Sequence, residues 1–115
     1  MTTTTTRNDV ISSDRVEGTD VYDVLGEKLG SIDDLMIDKI SGQVRYAVME
    51  FGGFLGIGSD RYPIPWPMLK YDTEREGYVV NLDKPTIDGA PRYASDQTPD
   101  YDDAYVMGVN RYFGV

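Results

Sequence analysis

The chain contains no cysteine and no histidine. The first absence excludes disulfides, thiolate metal sites and thiol catalysis. The second removes the usual general base near neutral pH and the commonest transition-metal ligand. Positive charge is scarce, with 11 Lys and Arg against 20 Asp and Glu and a formal net charge of −9. Nucleic acid needs a positive field on its partner, and so does an anionic membrane surface, so neither is an expected ligand. No apolar run approaches the ~20 residues of a spanning helix. The N-terminal Met1-Thr-Thr-Thr-Thr-Thr-Arg7 lacks the apolar centre of a signal peptide. The expectation is a cytoplasmic protein without membrane insertion.

What is present is a chain of 115 residues, enough for one domain with tails. Residues 1–13 are polar and low in complexity and read as a disordered leader, with Val10 and Ile11 available to pin its end. Residues 14–92 read as the domain and 93–115 as a linker with a C-terminal amphipathic helix.

Arg15 to Tyr22 reads as a first strand kinked at Gly18, and Asp23 to Lys28 as a turn with Gly26 at its tight position. Leu29 to Asp38 is a second strand whose alternation slips once. A bulge at Asp33-Asp34 places Ile32, Leu35 and Ile37 on one face. Lys39-Ile-Ser-Gly42 is a hairpin turn with Gly42 at positive φ. Gln43 to Phe51 alternates well and is apolar on both faces, as suits a strand covered from both sides.

The stretch Phe51-Gly-Gly-Phe-Leu-Gly-Ile-Gly-Ser-Asp-Arg-Tyr-Pro-Ile-Pro-Trp66 organises the rest. Four glycines articulate a loop whose Phe54, Leu55 and Ile57 are too apolar for free solvation. An edge strand follows whose prolines cannot donate to a ladder, and Trp66 then plugs an open end of the fold. Trp66 to Leu69 is a short turn. Leu69–Asp72 and Gly77–Leu82 pair across Thr73–Glu76. Lys84 to Pro91 is an irregular crossing that tucks Ile87 inward. Thr98-Pro99 reads as the start of the C-terminal helix. Arg111 lies in its last turn and Gly114 just beyond. Tyr101, Tyr105 and Tyr112 make an aromatic stripe flanked by Val109 and Phe113. A helix of ~13 residues does not hold alone in water, so the stripe must dock. Its own domain, a symmetric neighbour and a different protein are all open as the surface it docks on.

The run Asp20 to Asp38, the strand Ser41 to Glu50, the glycine loop and Tyr62-Pro-Ile-Pro-Trp66 together resemble PRC-barrel domains, over about Arg15 to Tyr93. The resemblance implies a small, strongly bent, mostly antiparallel β-barrel of about six strands, here with a C-terminal helix added. The family includes the cytoplasmic part of a photosynthetic reaction-centre subunit, a ribosome-maturation factor and small stand-alone bacterial proteins, and this chain is similar to the last kind. There the barrel is an assembly module, and the resemblance implies no agreed biochemical role.

Two functions follow as expectations. The first is a non-enzymatic interaction module, possible as a homodimer, needing no cofactor and no metal. Its contact residues would be Phe54, Leu55, Ile57, Trp66, Tyr101, Tyr105, Val109, Tyr112 and Phe113. The alternative is a divalent-metal-binding protein or carboxylate enzyme built on Asp20, Asp33, Asp34 and Asp38, although their spacing does not match an EF-hand loop. The glycine loop is not a phosphate cradle, since prolines and a strand follow it where a helix would have to begin.

Overall fold

The computed structural model describes residues 10–51 and 60–115. The glycine loop, and with it Phe54, Leu55 and Ile57, lies outside the described residues. The chain opens not on a strand but on a short helix, α1 (Ser13–Val16), followed by β1 (Asp20–Tyr22). Gly18 sits between them at φ +87° and donates its N–H to Ile32 O at 2.6 Å. Val10 and Ile11 are exposed among the described residues, and Val16 is the residue that enters the core.

β2 (Lys28–Ile37) and β3 (Val44–Phe51) form the long hairpin. Their register shifts between Ile32 and Asp34, the bulge expected there. It buries Ile32 and half-buries Leu35, but a second shift between Met36 and Ile37 turns Ile37 out, leaving it 50% exposed. Gly42 closes the hairpin at φ +76°. Its turn is tied by Asp38, whose Oδ1 accepts from the N–H groups of Ile40 and Ser41.

β4 (Asp60–Pro65) pairs with β3, and a 3₁₀ turn (Trp66–Met68) leads into β5 (Leu69–Asp72) and β6 (Gly77–Val80). Two elements come where the sequence suggests irregular chain. α2 (Lys84–Asp88) is capped by Asp83, which accepts from Thr86 N, and it carries Ile87 to complete burial. β7 (Tyr93–Ala94) pairs with Asp60 and Arg61.

The strands form one sheet in the order β5-β6-β1-β2-β3-β4-β7. All neighbours are antiparallel except β1 and β6, which run parallel. That close parallel contact is why residue 77 is glycine: a Cβ there would lie 2.7 Å from Asp20 O and 2.9 Å from the Tyr22 ring. Among the described residues the sheet has seven strands rather than about six, and it is not closed into a barrel, because β5 and β7 end it without pairing to each other. Pro63 and Pro65 supply a physical reason. They have no N–H to give to a strand beyond β4, and β7 accordingly covers only Asp60 and Arg61.

One face of the sheet carries the main core, including Val21, Ile32, Ala47, Met49, Ile64 and Val80, with Val16 and Ile87 packed on from the two short helices. Tyr46, Val48 and Pro63 are equally buried but alternate with that set, and so lie on the opposite face of β3 and β4. The C-terminal helix, α3 (Asp103–Phe113), covers them. It begins later than Thr98-Pro99 suggests. Asp102 is the N-cap, accepting from Tyr105 N at 2.9 Å, and aspartate caps better than threonine. Gly114 ends the helix at φ +74°.

Candidate functional site

The four carboxylates of the acidic reading do not converge. Asp20 pairs with Lys28 at 3.2 Å, Asp33 with Arg61 Nε at 2.9 Å and Asp38 with Arg45 at 3.2 Å. Asp34 Oδ1 accepts from the N–H of Leu35. The backbone N–H of Ser41, then that of Ile40 and the Arg45 guanidinium, hold the Asp38 carboxyl below its ordinary range. These are the positions of turn caps and strand-face ion pairs. Among the described residues no three acidic side chains come together in a way that could hold a metal ion.

The aromatic residues do converge, and on their own chain. Tyr101, just ahead of α3, lies 5.0 Å between ring centroids from Tyr105 and 5.8 Å from Tyr46 of β3. Its hydroxyl meets that of Tyr93 at 2.8 Å. The Tyr46 hydroxyl donates to Asn110 Oδ1 at 2.6 Å, fixing the middle of α3 to the sheet. Val109 is 1% exposed. At the far end Tyr112 donates to Thr86 O at 2.6 Å, and Phe113 packs against the main core. Of the expected contact residues, therefore, Tyr101, Tyr105, Val109, Tyr112 and Phe113 are engaged in the chain's own packing. Trp66 is half-buried against Tyr78, with ring centroids 5.4 Å apart. In an open sheet it plugs no barrel end.

Burial raises the phenols of Tyr46, Tyr93 and Tyr101 above the ordinary tyrosine value, Tyr101 the furthest. Tyr105 is pushed up to about 12, chiefly by burial. Its hydroxyl is also buried with no hydrogen-bond partner among the described residues. Tyr105→Phe should therefore raise stability, by about 1 kcal/mol, since it removes an unpaired buried polar group. Tyr46→Phe should lower it by about as much, because Asn110 loses its donor. Thermal melts of the two variants check the opposite signs. The pH dependence follows from the raised value. The stability linked to Tyr105 is fully present below 10, where the unfolded chain still holds its proton, and is lost as pH rises towards 12. Tyr105→Phe should flatten that alkaline loss.

Sequence reasoning missed three parts of this arrangement. Asn110 and Tyr93 gave no signal because polar partners of tyrosine hydroxyls have no fixed spacing. The exposed outer strand β5, with Tyr71 half-exposed on it, was hidden by the expectation of a closed barrel.

The structure is thus a small β-sheet domain whose four candidate carboxylates are engaged in turns and ion pairs. A family model, the PRC-barrel domain, matches residues 8–87, and the chain belongs to that family, whose domains are of the interaction and assembly type. A comparison with curated proteins finds no match. The matched region stops at α2, so β7, the tyrosine cluster's Tyr93, Tyr101 and Tyr105, and the whole of α3 lie beyond it. No helix among the described residues is long and apolar enough to cross a membrane.

Proposed function

We propose that this protein is a non-enzymatic assembly module that associates with itself, and that its C-terminal extension closes one face of its own sheet and leaves the contact to other surfaces. The observation that carries the reading is the contrast between two sets of groups. The carboxylates that would do chemistry are tied into ion pairs and turns. The outer strand of the sheet, by contrast, has no strand on its outer side among the described residues.

Light scattering across a concentration series, on the full chain and on a chain ending at Tyr93, tests it. Both should gain mass with concentration, and the shortened chain should melt earlier because Tyr46, Val48 and Pro63 lose their cover. A full chain that stays at 12.9 kDa throughout contradicts self-association. Loss of association in the shortened chain alone would place the interface on the extension instead. A melt with excess calcium or magnesium addresses the metal reading. Saturable binding at about 100 times Kd adds about 2.7 kcal/mol, a shift of several degrees, where this proposal expects none.

A further inference from the structure

The two ends of the sheet differ in what they offer another strand. At one end β7 is two residues long, and the rest of β4's edge carries Pro63 and Pro65, which cannot donate. At the other end β5 is a regular strand, paired over all four residues with β6, and no strand lies on its outer side among the described residues. Such an edge is a template for a further strand unless charge or shape blocks it.

Resting on the self-association proposed above, we infer that β5 is the interface, and that it pairs antiparallel with β5 of a second copy about a two-fold axis at Tyr71. The sequence of the strand selects that register. Centred on Tyr71, Lys70 of each copy faces Asp72 of the other, giving two opposite-charge pairs on one face of the joined sheet. Centring on Lys70 sets lysine against lysine, and centring on Asp72 sets aspartate against aspartate. Centring between residues sends the strand's side chains against unlike faces and pairs no opposite charges. A lone lysine blunts an edge against foreign strands, but in this register it finds its counter-ion. The net charge of −9 repels two copies in any orientation, and the two Lys70–Asp72 pairs offset part of that repulsion in this one.

The other face of β5 contributes area. Tyr71 is 50% exposed and packs edge-on against Tyr78 at 5.2 Å, and Tyr78 in turn contacts Trp66. The two-fold axis brings the two Tyr71 rings together at the centre of the interface, flanked by these rings. Tyrosine suits such a place, having a large apolar body and a polar tip. Four residues of edge make a small interface, so association is reversible and depends on concentration.

Charge variants in the full chain test the register. Lys70→Glu sets two acidic pairs across the axis, and Asp72→Lys sets two basic pairs. Each should weaken association about tenfold or more, since like charges in contact oppose pairing. An equimolar mixture of the two should recover it as a heterodimer, because each acidic position then meets a lysine. Asp72 also caps its own turn, Oδ1 accepting from Glu74 N and Arg75 N, and its Oδ2 lies 3.5 Å from the Arg75 guanidinium, an exposed pair that Lys70 of the second copy would join across the axis. Should Asp72→Lys fail to fold, Tyr71→Arg replaces it: it sets arginine against arginine on the axis and should likewise hold the chain monomeric. A wild-type chain that associates as strongly as Lys70→Glu overturns the β5 interface while leaving self-association standing. A wild-type chain that never exceeds 12.9 kDa overturns both.

Discussion

Alanine at position 30 should destabilise the domain by about 3 kcal/mol or more, a fall in melting temperature on the order of 12 °C or greater. Gly30 lies on β2 where it crosses β3, and a Cβ built there would overlap Glu50 O and stand 3.3 Å from Met49 Cγ. The obstacle is backbone, not the end of a flexible side chain, so relief requires β2 and β3 to move apart. That hairpin contains Ile32, Ala47 and Met49, each at most 1% exposed, and separating it loosens the main core. Ser31, next along β2 and only half-buried, is the control. Ser31→Ala should change the melt by less than about 0.5 kcal/mol. Equal effects at the two positions would mean that the strands are not this close.

Aspartate in place of Val109 should remove α3 from the sheet. Val109 is 1% exposed, and a carboxylate there has no ion-pair partner among the described residues. Burying a bare charge costs several kcal/mol. An 11-residue helix has little stability of its own, so undocking melts it. The loss of stability is then limited to what docking contributes, about 2–4 kcal/mol. Circular dichroism should show helix lost while the strand signal persists. Met107→Asp, on the same helix at a position 55% exposed, should do almost nothing. Loss of helix in the Met107 variant instead would mean that the helix docks by its other side.

The parts of the fold readable from the sequence were those set by local chemistry. The Asp33-Asp34 bulge followed from one slip in alternation. Gly42 and Gly114 marked turns that need positive φ, and both take it. The two-sided burial of β3 followed from apolar residues at both parities. The misreadings were of two kinds. Asp83 and Pro85 are a helix-start signal, but the helix they open has only five residues, too short for a periodicity to mark it. β7 and the open sheet are long-range outcomes: nothing local to Tyr93 says that it pairs with Arg61, and no periodicity says whether a sheet closes. The candidate site shows the same division. The tyrosines at 101 and 105 are legible as a stripe that must dock, but the dock includes Tyr46 on β3, which lies 64 residues from its partner Asn110 on the helix. Nothing in the sequence around Lys70 and Asp72 says that β5 is an end strand, because that too depends on which distant strands pair.

Amide hydrogen exchange on the full chain, at dilute and at high concentration, tests most directly whether contact is made by the sheet's end and not by the extension. Protection should rise with concentration over Leu69–Asp72 and stay constant over Asp103–Phe113, which is already docked. A concentration-dependent gain over Asp103–Phe113 with none at Leu69–Asp72 would contradict the account, since it would make the aromatic extension the interface.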